Sequence, residues 1–155
     1  MDDVNEKLSG LTTILNKAQA FCAYQDRSSF EVSQKLKDWG VAAERIPKII
    51  ESLIKDKFID DKRYAEIFAG SKFRLKKWGR NKISYELRLK KIPQPFISEA
   101  LETIDETQYA ETIQALITQK TKEVKDTDAY RRKQKIARYV ISKGFEAELV
   151  FGMLS

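Results

Sequence analysis

The sequence predicts an all-α fold made of three tandem three-helix repeats, and three observations lead to it. Apolar residues recur three and four positions apart along most of the chain, as on one side of an α-helix. No β-branched run alternates with polar residues, and no Asn-Gly or Asp-Gly turn occurs. The same apolar spacing returns about every fifty residues. Because a unit of that size has a small core, we expect the repeats to stack into an elongated, curved body.

The repeat is clearest around three anchor positions, Gly40, Lys91 and Gly144, which lie 51 and 53 residues apart. A β-branched residue stands eight positions before each anchor, and an apolar residue stands four positions before it. Further apolar residues follow one, six, nine and ten positions after each anchor. These columns predict the second and third helices of each repeat. The residues before the anchors are Val32 with Leu36, Ile83 with Leu87, and Ile136 with Val140.

The three repeats are expected to span residues 1–57, 58–106 and 107–155. An apolar pair three residues apart, upstream of the other columns, predicts the first helix of each repeat. We therefore expect nine helices in the chain. The pairs are Ala18 with Phe21, Ala65 with Phe68, and Ala110 with Ile113.

Local signals place the helix ends in the first repeat. Ser28 and Glu31 form a capping box, in which the serine hydroxyl accepts an unpaired N–H and the glutamate reaches back. Gly40 supplies the left-handed residue where the second helix ends, and Pro47 falls in the first turn of the third helix. We expect Trp39, beside this helix end, to fill the joint between repeats.

In the second repeat, Asp60 and Asp61 precede a long predicted helix, and we expect them to cap its N-terminus. One face of that helix is expected to pack in the core. Phe73 lies off this face among basic residues, where it can stack on a nucleobase or, as we favour, pack against the neighbouring repeat. Lys91 stands where the other repeats have glycine, and a positive φ there is tolerable at about 1 kcal/mol. The core-facing residues are Tyr64, Phe68, Ser71, Leu75 and Trp78.

The composition excludes several kinds of chemistry. The 155 residues contain no histidine and one cysteine, so a Ser-His-Asp triad, an HExxH zinc site and an internal disulfide are ruled out. Neither a GxxxxGKS/T loop nor a GxGxxG loop is present. We therefore expect a protein that is not an enzyme and that uses no metal or cofactor. Cys22 is expected to be a packing residue, and the lack of a transmembrane run or signal-peptide pattern favours the reducing cytoplasm.

Positive charge is concentrated in two blocks. Against a net charge of +6, Lys72–Lys91 carries nine bases and one acid, and Arg131–Lys143 carries six bases and no acid. Such blocks attract acidic partners, although either block alone is equally compatible with a solvated helix face. All the bases of both blocks are therefore candidates for contact with a partner protein or with DNA. They are Lys72, Arg74, Lys76, Lys77, Arg80, Lys82, Arg88, Lys90, Lys91, Arg131, Arg132, Lys133, Lys135, Arg138 and Lys143.

Several short strings are distinctive within this frame. Ile59–Phe68 contains Ile-Asp-Asp, then Arg-Tyr-Ala, then Phe, and Trp78–Ile92 contains Gly-Arg, Ile, Glu-Leu and Lys-Lys-Ile. Related strings occupy Arg27–Val41 and Lys135–Phe145 in the outer repeats. Together they resemble the RecX family, which regulates the RecA recombinase in bacteria. Lys91 is a departure, because the family normally has glycine there.

The resemblance implies three tandem three-helix repeats forming a curved, right-handed-helical rod. It also implies a protein that binds lengthwise in the groove of the RecA–DNA filament and inhibits filament extension, recombinase, ATPase and co-protease activities. The basic blocks leave a second interpretation open, a non-specific helical repeat protein that contacts single- or double-stranded DNA directly. Asn81 and Gln134 are isolated, so no base-reading set is evident, and no dimer signal is present, which favours a monomer.

Overall fold

A computed structural model describes residues 2–154 of the chain, with side chains at position 10 and from 12 to 154. Within residues 2–154 there are nine α-helices and no strand, so the prediction of an all-α fold with nine helices is confirmed. A short 3-10 turn, Ala43–Arg45, precedes α3. The helices are α1 (Asp2–Tyr24), α2 (Ser29–Asp38), α3 (Ile46–Lys55), α4 (Asp61–Lys76), α5 (Arg80–Leu89), α6 (Gln94–Glu102), α7 (Glu106–Glu123), α8 (Ala129–Ser142) and α9 (Ala147–Met153).

The helices divide into two compact units. The first contains the chain up to Tyr64 together with Lys90–Ile92, and the second contains Ala65–Leu89 and the chain from Pro93 onward. The core of the first unit lies among α1, α2 and α3, where nine residues from Ala18 to Ile59 form one buried cluster. The second unit holds most of the second repeat and the whole third repeat.

The repeat columns correspond to the buried core. The β-branched residue eight positions before each anchor and the apolar residue four positions before it are at most 4% exposed in all three repeats. Val41, Ile92 and Phe145, one position after the anchors, are buried as well. The threefold pattern therefore marks the side chains that are removed from water, which stabilises each of them by roughly 1.5–3 kcal/mol.

The anchors themselves end the second helices with a left-handed residue. Gly40 and Gly144 have φ of +82° and +101°, and Lys91 has φ of +59° in the corresponding position. The expectation that Lys91 can adopt a positive φ is therefore confirmed. Lys57 and Lys77 adopt the same conformation, with φ of +63° and +57°, and nothing in the sequence pattern indicated it.

The capping predictions hold in part. Ser28 Oγ accepts the N–H of Glu31 at 3.1 Å, and Asp60 Oδ1 accepts the N–H of Arg63 at 3.1 Å, as the cap rules predict. Asp61 does not act as a second cap of α4, since its carboxylate binds Ser29 instead. The Glu31 carboxylate does not reach back to its own helix end either, because it accepts hydrogen bonds from residues of the second repeat.

The predicted core face of α4 is wrong at its C-terminal end. Leu75 is 77% exposed, and α4 ends at Lys76. Because Lys77 then turns the chain with a positive φ, Trp78 does not lie on the helix at all. Phe73, which lies off the predicted face, is 5% exposed and stacks on Tyr109 at 5.7 Å between ring centroids. The packing interpretation of Phe73 is therefore confirmed.

Trp39 packs inside the first repeat and not at a joint between repeats. Its ring meets Phe21 edge to face at 6.1 Å, and the ammonium group of Lys17 lies 4.5 Å from its centroid. Cys22 is buried in the same core, and burial raises its thiol pKa, opposed in part by the charge of Arg27. The expectation that Cys22 is a packing residue is confirmed.

Candidate functional site

The first and second repeats meet at a polar contact that we call the first joint. Asp61, on α4, accepts the N–H of Ser29 at 2.8 Å and its hydroxyl at 2.6 Å. Tyr64, one turn further along α4, donates its hydroxyl to Glu31 Oε1 at 2.6 Å, and Lys90 Nζ donates to the same oxygen at 3.0 Å. The start of α2 is therefore completed by side chains of the following repeat.

The second and third repeats meet at a denser contact, the second joint. The guanidinium of Arg80 binds Glu146 and Glu106, both at 2.7 Å, and lies 3.9 Å from the ring centroid of Tyr109. The hydroxyl of Tyr109 accepts the N–H of Arg80 at 3.1 Å and donates to Glu146. Burial and the hydrogen bond to Glu146 raise the pKa of Tyr109, which extends to higher pH the range in which the phenol keeps its proton.

Backbone groups also meet at the second joint. The N–H of Gly79 donates to the carbonyl of Lys143 at 2.8 Å, and the N–H of Asn81 donates to the carbonyl of Gly144 at 2.9 Å. A Cβ atom at Gly79 would lie 2.3 Å from the carbonyl carbon of Gly144. Gly79 and Gly144 must therefore both be glycine, because the two chain segments that contain them touch without space for a side chain.

Several of the candidate basic residues are occupied by these and similar contacts. Arg80 and Lys90 form ion pairs at the two joints. The ammonium groups of Lys72 and Lys82 lie 5.1 and 4.6 Å from the ring centroid of Trp78. These four residues of the first basic block contribute to the packing of the repeats, and we do not count them as open for a partner.

Most of the second basic block is also engaged. Lys135 Nζ lies 2.9 Å and Arg131 Nε 3.7 Å from Asp126 Oδ2, and hydrogen bonds from Lys135 and from the N–H of Asp128 lower the pKa of Asp126. Arg132 donates to the carbonyl of Thr121 at 2.9 Å. Lys143 lies near the ring of Tyr139, 5.9 Å from its centroid. Four of the six bases of this block therefore have an intramolecular contact, although Arg131 and Lys135 are more than half exposed.

The remaining candidates are the cations of the two blocks that have no anionic partner among the described residues. None of them forms an ion pair or a side-chain hydrogen bond within the part of the chain that the structure describes. All are exposed except Lys133, which is half-buried. Five belong to the first basic block and two to the second, so the first block offers the larger unpaired charge. They are Arg74, Lys76, Lys77, Arg88 and Lys91, followed by Lys133 and Arg138.

The charge count did not single out the apolar residues that accompany these cations. Leu75 is 77% exposed between Arg74 and Lys76. On α5, Tyr85 and Leu89 are 55% and 52% exposed on the side that also presents Arg88. A signal existed for α5, because Tyr85 and Leu89 stand two positions after the buried Ile83 and Leu87 and therefore face away from the core. Exposed aromatic and apolar side chains beside cations are typical of interaction surfaces.

No helix within residues 2–154 has the combination of length and hydropathy that is needed to cross a lipid bilayer.

Comparison with known proteins gives a consistent result. Models of the first, second and third three-helix domains of RecX match residues 15–53, 60–101 and 106–153. The regulatory protein RecX of Prosthecochloris aestuarii is 32% identical over 136 residues, which cover 88% of this chain and 87% of the relative. The regulatory protein RecX of Lactobacillus johnsonii is 30% identical over 87% of this chain, which spans only 50% of that longer relative.

Solved structures share the fold. The crystal structure of RecX from Lactobacillus salivarius superposes with a TM-score of 0.86 at 23% identity, covering 95% of this chain and 96% of the other. A second crystal structure of a regulatory protein RecX gives a TM-score of 0.82 at the same identity, covering 96% and 76%. Since the three domain models match in order along most of the chain, the chain belongs to the RecX family.

Proposed function

We propose that this protein is a regulator that binds in the groove of RecA–DNA filaments in the cytoplasm and inhibits filament extension. Inhibition of the recombinase, ATPase and co-protease activities of RecA would follow from the same binding. The observation that carries the proposal is the match of all three repeats, in order, to the three domains of RecX. The relatives that match along this chain are named regulatory proteins, which supports regulation over catalysis.

The contact surface that we propose is built on the unpaired cations of α4 and α5. Arg74, Lys76 and Lys77 cluster at the end of α4, and Arg88 lies on the exposed side of α5. A filament of protein and DNA presents phosphate and acidic side chains, so such a surface favours association with it. Lys72, Lys82 and Arg80 lie in the same block but serve packing, and we assign them no direct contact.

The test is the ATPase activity of RecA from the same organism on single-stranded DNA, with increasing amounts of this protein. We expect the rate to fall and the filaments, seen by electron microscopy, to shorten. The charge-reversal variant Arg74→Glu, Lys76→Glu, Lys77→Glu and Arg88→Glu should need about tenfold more protein for half-inhibition. An unchanged ATPase rate and filament length at several-fold excess of the unmodified protein would contradict the proposal.

A matched control separates surface contact from net charge. Four exposed cations of the first repeat can be reversed in the same way, which changes the net charge by the same amount. If that variant loses inhibition equally, non-specific attraction explains the effect and the α4 and α5 surface has no special role. Melting curves of both variants should agree with that of the unmodified protein. The four control residues are Lys37, Arg45, Lys48 and Lys55.

Direct DNA binding is a second candidate, favoured by the exposed Tyr85 beside Arg88 on α5. A tyrosine ring among cations can stack on an unpaired base, which contributes roughly 1–3 kcal/mol. Binding to an oligonucleotide without RecA would then weaken with salt, by about 0.7–0.9 log units per log unit of salt for each phosphate neutralised. A flat salt response, or no binding at low salt, would leave the filament as the sole target.

A further inference from the structure

The second unit contains an elongated groove between the end of α4 and α7. Its volume is about 380 Å³, and it opens onto the outer side of α7, where a shallow depression lined by α7 alone shares Glu111, Ala115 and Gln119 with it. Along α7 the lining of the groove runs from Gln108 to Gln119, which corresponds to roughly 17 Å of helix. That length accommodates about five residues of an extended peptide.

The α4 side of the groove carries unpaired positive charge. Arg74 and Lys77 line it, and neither has an anionic partner in the part of the chain that the structure describes. The guanidinium of Arg74 lies close to the backbone of Gly70, since a Cβ atom there would meet Arg74 Nη1 at 2.8 Å. The two cations thus form one edge of the groove and favour an acidic occupant.

The rest of the lining is apolar or neutral, with one acid. Ala115 is exposed and provides a small aliphatic surface, and Gln108 and Thr112 provide amide and hydroxyl groups on α7. Such groups can pair with the N–H and C=O groups of a bound peptide backbone. Glu111 is the one acid of this lining and repels phosphates and carboxylates alike, so the acidic side chains of an occupant must lie on the α4 side, beside Arg74 and Lys77.

The aromatic residue in the lining offers no stacking surface. Phe73 is 5% exposed, and its ring already stacks on Tyr109. Single-stranded nucleic acid is bound mainly by base stacking on open aromatic faces within a basic channel. The groove lacks that platform, so its chemistry fits a peptide better than a nucleotide.

We infer that this groove is a docking site for an acidic peptide segment of a partner protein. Carboxylates of the segment pair with Arg74 and Lys77, and an aliphatic side chain packs on Ala115. The inference rests on the proposed function only for the identity of the partner, a protein of the RecA filament. Binding of the peptide itself is a property of this chain alone and can be measured without a filament.

The experiment uses a dye-labelled synthetic peptide of alternating glutamate and leucine, followed by fluorescence anisotropy with the full chain. We expect binding that a peptide of alternating lysine and leucine does not show. The variant Ala115→Trp fills the groove and should weaken binding at least about fivefold. Ala129→Trp is the matched control, because Ala129 is an exposed alanine at the start of α8 and does not line the groove; it should bind as the unmodified protein does.

A second variant keeps the test valid if Ala115→Trp fails to fold. The pair Arg74→Gln and Lys77→Gln removes the charges without changing the packing, and it should also weaken binding at least about fivefold. No anisotropy change up to millimolar protein, equal binding of the acidic and basic peptides, or full binding by both variants would overturn the inference.

Two other occupants would also overturn it. Direct binding of a dye-labelled oligothymidine that is lost in Ala115→Trp and kept in Ala129→Trp would assign the groove to nucleic acid. Self-association that Ala115→Trp abolishes would assign it to a second copy of this chain. Inhibition of the RecA ATPase is measured separately: inhibition without peptide binding refutes only the docking site, and peptide binding without inhibition refutes only the proposed function.

Discussion

The first joint is built from side chains, whereas the second joint also brings two backbone segments together. At the first joint, the N–H of Ser29 is accepted by the carboxylate of Asp61, and Tyr64 binds Glu31. Each of these hydrogen bonds depends on one replaceable side chain. The contact can therefore be weakened in steps, by roughly 1–3 kcal/mol for each buried group that is left unpaired.

At the second joint, the start of α5 donates its N–H groups directly to the carbonyls of Lys143 and Gly144. The hydroxyl of Tyr109 accepts the N–H of Arg80 between them. At both joints the second helix of one repeat is thus capped by the following repeat, which links the folding of neighbouring repeats. The difference is that the second joint requires two glycines and tolerates no added atom.

The largest expected effect comes from adding one methyl group to the second joint. In Gly144→Ala the new Cβ would lie 2.4 Å from Lys82 Cβ and 2.7 Å from Lys82 N, at a φ of +101°. We expect the free energy of unfolding, measured with urea, to fall by about 3 kcal/mol or more. The chain has no alternative position for the methyl group, because one of the opposing atoms is backbone.

Gly40 is the matched control, since it occupies the same position of the first repeat with a φ of +82°, and a methyl group added there would have no atom within 4 Å. The free energy of unfolding of Gly40→Ala should therefore fall only by the strain of a left-handed alanine, about 1–2 kcal/mol. Equal losses in the two variants would show that close backbone contact adds nothing to the second joint.

The second-largest expected effect is a difference in stability loss between variants of Tyr64 and Tyr109, which occupy equivalent positions in α4 and α7. Tyr109→Phe leaves the N–H of Arg80 without its acceptor and removes a donor from Glu146, so we expect a loss of about 2 kcal/mol. The free energy of unfolding of Tyr64→Phe should fall by only about 1 kcal/mol, because Glu31 keeps its hydrogen bond to Lys90. Urea unfolding of both variants tests the order, and a larger loss in Tyr64→Phe would contradict the comparison.

Alkaline pH acts on both joints through the same two hydroxyls. Burial first, and then the hydrogen bond to glutamate, raises the pKa of Tyr64 and of Tyr109 above its ordinary value of about 10. An unfolded chain therefore releases these protons at a lower pH than the folded one. Their contribution to stability is complete below about pH 10 and decreases as the pH rises further.

The measurement is the free energy of unfolding as a function of alkaline pH, compared with the double variant Tyr64→Phe and Tyr109→Phe. The other titrating groups are common to both proteins, so the difference between the two curves isolates the two phenols. We expect the unmodified protein to lose stability more steeply above about pH 10. Parallel curves would show that the joints do not depend on the protonated hydroxyls.

The core could be predicted from the sequence because burial on a helix is a local, periodic property. Val32, Ile83 and Ile136 are all buried, as the repeat predicts. The end of α4 could not be predicted in this way. Lys77 takes a left-handed conformation without the glycine that normally indicates it, so Trp78 leaves the helix. Leu75 remains on α4 but is 77% exposed, because burial depends on which elements cover the helix end.

The joints and the candidate site depend on pairs that are distant in sequence. Asp61 meets Ser29 across 32 positions and Arg80 meets Glu146 across 66, so rules for helix caps and charge blocks do not detect them. A charge count therefore treats Arg80 and Arg88 alike, although one is bound at a joint and the other is exposed. Only the fold separates cations that hold the repeats together from cations that are open to a partner.

The smallest expected effect is a gain, at the anchor of the second repeat. Lys91 holds a φ of +59° in the position that Gly40 and Gly144 occupy in the other repeats, and its side chain is exposed. Lys91→Gly relieves that strain but adds freedom to the unfolded chain, so the net gain should be about 0.5–1 kcal/mol. Lys91→Ala is the control, because it removes the same charge and keeps the strain. A gain in Lys91→Gly alone assigns the effect to the backbone, and equal gains in both would assign it to repulsion within the basic block.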